Sequence, residues 1–595
     1  MKALEALEAA WQARWPDALE KWSRFTRLHD PVFCHDAADE KREHLTDSFA
    51  MIRLTDHSVI ISLRQVKEKK LQEFPVEVLA HEVGHHVLCP ADLADQGRLL
   101  ARLKRGLPGK ESLAPFVANV YADLLINDRL QRQGSLRMAD VYLALRGEGD
   151  SEDRFWAFYM RTFEVLWGLP RGTLAPAKVG AGLDADAQLG ARLARVYAKD
   201  WLRGAGRFAA LCFPYLPEPS KMKVGRLLRG WHDTEAAGAG AGDIPDGLAE
   251  VDDDELDGAI HPSLDPELAG LDESDTVQKD SGAGQESGAG GNRRRYREPA
   301  DFAELLKSLG VNLPEDEVFA RYYRELALPH LIRFPMRETV VSTEPLPEGL
   351  DVWDVGEPLS SVDWVETALH SPSVVPGVTT VQRVYGVSTG NRPEREPIDL
   401  YLGIDCSGSM QNPRVQLSYP VIAGVVMALS ALRAGARVMA TLSGEPGSFS
   451  STKDFLSDEK RVLQILTGYL GTGYAFNVAR LNDAFGPECP PRKRKAHVLI
   501  VSDTDLFMML DQKHAGALGW DLSREALAKA GGGGTYVLHI PGKWRDARTR
   551  RMEKDGWAVH TIDGWEDLVA FARDFSRRHW ENTAAPVRNA EQWAP

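Results

Sequence analysis

The run IDLYLGIDCSGSM, residues 398–410, decides how this chain is read. It opens as an apolar stretch of strand length and closes on a carboxylate, Asp405, followed by hydroxyls at Ser407 and Ser409. Further strand-like runs come after it: ARVMATLS, HVLIVSD, TYVLHI and WAVHTID, with helix-length patterns between them. Continuous apolar strands alternating with helices predict a parallel sheet covered on both faces, a doubly wound α/β domain. In such a sheet, ligands bind beyond the carboxyl ends of the strands, which is where Asp405, Ser407 and Ser409 fall. One carboxylate and two hydroxyls in a tight loop suit a hard cation, Mg²⁺ above all.

The D-x-S-x-S pattern resembles the metal-ion-dependent adhesion site of von Willebrand factor A-like domains, a Rossmann-like fold, over about residues 398–580. That resemblance implies two further ligands, Thr472 in GTGYAFN and Asp503 at the end of HVLIVSD. It also implies an under-neutralised Mg²⁺ that takes an acidic side chain from a protein partner or substrate at an open position. Bacterial domains of this type often work with a separate MoxR-like AAA+ ATPase. The chain carries no Walker A motif of its own: GGGGTYVLHI lacks the lysine, and its glycines are expected to form a loop leading into a strand. Asp399 and Asp505 are expected in solvent or behind the ligands.

A second constellation lies far upstream, in HEVGHH, residues 81–86. Pro75 stands where a helix can begin and Pro90 where it must end. His81 and His85 are then one turn apart, so both imidazoles leave the same helix face and supply half of a tetrahedral zinc shell. Glu82 is placed to take a proton from water, the HExxH arrangement of metallopeptidases. Gly84 lowers helix propensity but lets another element approach closely. Downstream, in APFVANVYADLLINDRL, Asn119, Asp123 and Asn127 form one polar stripe on an otherwise apolar helix. A polar stripe inside a core must find partners. Asp123 is therefore the expected third zinc ligand, with Asn119 and Asn127 supporting the ligands. His86 is expected behind the ligands or at the surface, and Cys89 as a buried structural thiol.

HEVGHH followed by NVYADLLIND resembles a bacterial family of metallopeptidases in which a zincin-like HExxH domain precedes a von Willebrand factor A-like domain. The resemblance covers about residues 40–130, and it too places the third ligand at Asp123. Gluzincins proper use glutamate in that role.

The bulk properties agree with a multidomain globular protein. At 595 residues the chain is too long for one ordinary core, and a formal charge of -15 argues against a general nucleic-acid binder. Five scattered cysteines without CxxC spacing read as reduced thiols. The N-terminus lacks signal-peptide character, and the longest apolar stretch, YPVIAGVVMALSAL, is too short to span a bilayer, so a cytoplasmic location is expected. The expected organisation is a mainly helical domain over 1–232, an acidic Gly-rich disordered linker over 233–297, connecting helices and short strands over 298–397, and the α/β domain over 398–595. Within the linker, EVDDDELDG is a candidate pseudo-ligand for a metal site, and NRRRYRE is expected to be a solvated edge. Together these features point to a zinc metallopeptidase with a recruiting domain. The rival reading is a non-catalytic adaptor whose zinc is purely structural.

Overall fold

The computed structural model describes residues 2–45, 48–146, 153–217, 245–257, 260–269, 295–338, 343–389 and 395–581, apart from 446, 491, 493, 515 and 544. The chain forms two compact units, Met1–Glu325 with Pro413–Leu417, and Leu326–Asn412 with Ser418–Pro595. Among the described residues no helix is long and apolar enough to cross a membrane.

In the first unit a three-stranded sheet follows two N-terminal helices, Lys2–Gln12 and Trp15–Glu20. Strand β3 (Ser58–Ser62) lies between β1 (Val32–Cys34), to which it is parallel, and β2 (Ala50–Arg53), to which it is antiparallel. The helices that follow are α1 (Pro75–Val87), α2 (Leu93–Arg105), α3 (Ala114–Arg132), α4 (Met138–Leu145), α5 (Arg154–Trp167), α6 (Ala181–Val196) and α7 (Trp201–Cys212). Pro75 occupies the first turn of α1, where its missing N–H costs nothing. Helix α3 is buried almost all round, as its largely apolar sequence requires, and its stripe of Asn119, Asp123 and Asn127 is buried with it. Gly84 lets α1 and α3 meet: a Cβ there would stand 2.6 Å from both Ile126 Cγ2 and Trp22 Cζ2. The Trp22 indole also donates to the Ala80 carbonyl at 2.6 Å, fixing the same stretch of α1.

The acidic segment departs from the expected linker. Residues 245–257 and 260–269 pack into the first unit and bury Leu248, Ala249 and Leu268. Leu248 sits over Gly97 of α2, so close that a Cβ on Gly97 would be 2.6 Å from Leu248 Cδ2. The carboxylates find arginines: Asp252 pairs with Arg102 at 2.5 Å, and Glu255 takes both Nη atoms of Arg297 at 2.9 Å. Asp265 accepts from the Tyr197 hydroxyl and Arg207 Nε, each at 2.6 Å. Ion pairs with scattered arginines let a stretch order although its composition alone argues against it. These partners also occupy Asp252 and Glu255 of EVDDDELDG, which removes them from a pseudo-ligand role in this arrangement. The rest of the expected linker, residues 233–244, 258–259 and 270–294, lies outside the described residues, and with it Asn292, Arg293 and Arg294 of NRRRYRE. Residues 298–325, expected as connecting elements, belong to the first unit.

The second unit is built on a six-stranded mixed sheet of order β6-β5-β4-β7-β8-β9: β4 (Asp399–Asp405), β5 (Val438–Ser443), β6 (Phe449–Ser451), β7 (Ala496–Asp503), β8 (Gly531–His539) and β9 (Ala558–Ile562). All neighbours are parallel except the edge strand β6. Every residue of the central strand β4 is buried. Helix α8 (Tyr419–Arg433) packs on it through Gly424, where a Cβ would lie 2.5 Å from Ile404 Cδ1. The chain runs from β4 to β5 on one side and returns to β7 on the other, so the strand order reverses beside β4. The glycines expected as a loop are instead the first residues of β8, where the register against β7 shifts. A side chain on Gly532 would collide with the Ala496 carbonyl at 2.3 Å, and Gly531 and Gly533 have φ of 62° and 88°.

Candidate metal centre

Helices α1 and α3 bring three ligand groups together in the interior of the first unit. Among the described residues, His81, His85 and Asp123 form the one group of three or more His, Cys, Asp or Glu whose ligand atoms all lie within 4.8 Å of one another. His81 Nε2 and His85 Nε2 are 3.2 Å apart, and Asp123 Oδ1 is 3.5 Å from each. His81, Glu82 and His85 are 0% exposed and Asp123 4%.

The outward-facing nitrogens settle what the inner ones offer. His85 Nδ1 is 3.0 Å from the Cys89 carbonyl oxygen, which can only accept, so Nδ1 carries the proton. His81 Nδ1 is 2.6 Å from Asn127 Oδ1, and the same amide donates through Nδ2 to the Tyr142 hydroxyl at 2.9 Å. In the neutral tautomer protonated at Nδ1, each imidazole turns its Nε2 lone pair towards the other ring and towards a carboxylate oxygen. Three electron-pair donors facing one another in a dry interior repel unless a cation lies between them. The donor set fits a metal ion, and this buried group could hold one.

The supporting residues differ in part from the sequence expectation. Both asparagines of the stripe take the supporting positions expected of them: Asn127 meets His81 Nδ1, and Asn119 donates to Asp123 Oδ2 at 3.2 Å and so steadies the carboxylate. Tyr142, on α4, extends the Asn127–His81 chain and was not foreseen. Cys89 serves His85 through its backbone oxygen, while burial holds its thiol far above its usual range. His86 is half-buried and packs its ring against His57, centroids 4.1 Å apart.

The second candidate loop lies at the carboxyl edge of the sheet, beside the reversal of strand order, where open α/β sheets form their binding crevice. Asp405 ends β4 and Asp503 ends the neighbouring β7. The Ser407 N–H donates to Asp405 Oδ1 at 2.9 Å, and the Ser502 hydroxyl donates to Asp405 Oδ2 at 2.6 Å. Ser407 Oγ and Ser409 Oγ are 2.9 Å apart, and Ser409 donates to Asp503 Oδ2 at 2.8 Å. Thr472 is drawn alongside by the backbone, its carbonyl accepting from Gly408 N at 2.6 Å, while its hydroxyl accepts from Glu445 N at 3.1 Å. Asp405 and Ser407 are buried, but Ser409 is exposed and Asp503 half-buried, so the cluster opens to solvent. Burial pushes the Asp405 carboxyl up to about 6, against the pull of the Ser502 hydrogen bond.

Asp399 departs from the expectation of a solvated or supporting role. It is fully buried at the opposite end of β4, paired with Arg437 at 2.7 Å and Arg492 at 3.0 Å. Asp505 is exposed and donates its N–H to Asp503 Oδ1.

Comparison of the chain with protein-family models, curated proteins and solved structures finds no match.

Proposed function

We propose that the chain is a zinc-dependent metallopeptidase in which a zincin-like helical unit cleaves protein and a von Willebrand factor A-like unit recruits. The observation that carries this reading is the His81/His85/Asp123 triangle with Glu82 on the same helix. Its sides of 3.2, 3.5 and 3.5 Å are close to the edges, about 3.3–3.4 Å, of a tetrahedron drawn with zinc–ligand bonds of about 2.0–2.1 Å. Two imidazoles and a carboxylate would hold zinc through three protein ligands, the number that hydrolytic zinc sites use. Bound zinc would supply Lewis-acid polarisation of water and of a peptide carbonyl. Glu82, next in sequence to His81, takes the water proton on its carboxylate and passes it to the departing amine. Asn127 and the Cys89 carbonyl hold each imidazole in the tautomer whose Nε2 can ligate.

At the exposed loop, Asp405, Ser407, Ser409, Thr472 and Asp503 would hold Mg²⁺, with an open position for an acidic side chain of a protein substrate or partner. A separate MoxR-like AAA+ ATPase is the partner class this arrangement suggests, and no nucleic-acid or membrane partner is proposed. The cytoplasm, where thiols stay reduced, suits five free cysteines.

One observation favours a second reading. His81, His85 and Glu82 have no exposed surface, as in closed sites where zinc only stabilises the fold. In that case the chain is an adaptor and the exposed loop does its work. Glu82→Gln separates the two. Zinc content and cleavage of a fluorescein-labelled unfolded protein are measured on the wild type and the variant. A peptidase cleaves as wild type and loses cleavage, but not zinc, in the variant; zinc without cleavage in both identifies the adaptor.

A further inference from the structure

Residues 343–389 of the second unit form a small module with little interior of its own. Strands Thr343–Val352 and Val381–Thr389 pair as an antiparallel hairpin, and a short helix, Trp364–His370, folds back on it. Asp363 caps the helix through Val365 N and Glu366 N, and Thr367 Oγ1 accepts from Val381 N at 3.1 Å. Inside, Trp353 and Val362 are buried.

Outside, the module is unusually apolar. Twelve of the 22 exposed large hydrophobic residues of the described chain lie between Leu350 and Tyr385, so this surface is a concentration and not the ordinary scatter. Trp364, Val365 and Leu369 on the helix are 53, 68 and 75% exposed, and Val355 and Val378 are 74 and 68% exposed. Val355 and the 377–378 turn are neighbours, since a Cβ on Gly377 would be 2.9 Å from Val355 Cγ2.

The charge around these side chains says what can cover them. Residues 343–389 contain seven acidic side chains and one arginine, and that arginine, Arg383, is held by Asp363 at 2.5 Å. Asp351, Asp354 and Glu357 stand exposed beside the apolar positions. A second copy would set acidic rim against acidic rim, and an anionic lipid surface is repelled for the same reason. A complementary surface must be apolar at its centre and basic at its edge. An amphipathic helix with lysine and arginine flanking its apolar stripe meets both conditions.

We propose that this module docks a protein partner through an apolar helix face edged by basic residues. The site requires neither metal centre. The test uses the full chain and a fluorescein-labelled synthetic amphipathic helix of leucines and lysines, followed by anisotropy. The helix binds the wild type, and binding weakens about ten-fold or more in Leu369→Ser/Val378→Ser. Both positions are exposed, so the variant melts with the wild type, and Leu369→Met/Val378→Ile keeps its affinity. The matching helix of leucines and glutamates does not bind. The proposal is overturned by failure of the leucine–lysine helix to bind, by equal binding of the two helices, or by undiminished binding in the serine variant. Patch-dependent self-association in sedimentation, or capture by anionic phospholipid vesicles, overturns it as well.

Discussion

The triangle of His81, His85 and Asp123 and the loop of Asp405, Ser407 and Ser409 put candidate ligands in opposite settings. The triangle comes from two helices locked together in an interior, with its three side chains almost wholly excluded from water. The loop hangs at the edge of a sheet, with Ser409 in solvent and Asp503 half-buried. Burial dictates the donor types. In a dry core each extra charge is costly, so imidazoles, which add none when neutral, suit the interior, and the one carboxylate would cancel half the charge of a dication. At the edge, under the proposed function, weak hydroxyl donors would suffice because water and a partner's carboxylate would complete the shell. The interior site should therefore hold its ion tightly and depend on each ligand, whereas the edge site should exchange its ion and respond to pH.

Four experiments break or sharpen that contrast. The largest effect is expected from His81→Ala or His85→Ala, which removes one of three buried ligands. Metal analysis should show zinc falling from about one equivalent to near none. Next comes Glu82→Gln, which should keep zinc and lower cleavage of an unfolded protein by about 10²- to 10⁴-fold, the usual contribution of a positioned general base. Tyr142→Phe alters the far end of the Tyr142–Asn127–His81 chain while leaving every ligand in place. Chelator competition should report zinc affinity about 10- to 100-fold weaker. The smallest effect concerns the edge. Because the folded Asp405 carboxyl titrates near 6, above its ordinary value, it is protonated below that pH and must ionise to ligate. Mg²⁺ affinity measured by calorimetry should be level above pH 6 and fall about ten-fold per unit below it.

The sequence made some of these features legible and hid others for physical reasons. His81 and His85 follow from helix period alone, and Asp123 from a polar stripe that an apolar helix cannot bury without partners. The strands of the sheet were readable because parallel strands buried on both faces are apolar throughout. Tyr142 left no trace, since its link to Asn127 spans two helices and obeys no periodicity. The partner of His85 is a backbone carbonyl, which no residue type announces. Ser502 stands inside an apolar run, and only the fold brings its hydroxyl to Asp405. The acidic segment misled for another reason. Its composition signals a solvated chain, yet Arg102, Arg207 and Arg297 supply countercharges from positions far away in sequence.

The most direct test of the account is a crystal structure of the zinc-loaded chain with anomalous diffraction recorded on both sides of the zinc edge. The account predicts one strong peak within about 2.2 Å of His81 Nε2, His85 Nε2 and an Asp123 oxygen, with the fourth position taken by solvent. A structure with no peak there, or with zinc held by the histidines while Asp123 turns away and no other side chain replaces it, would contradict it.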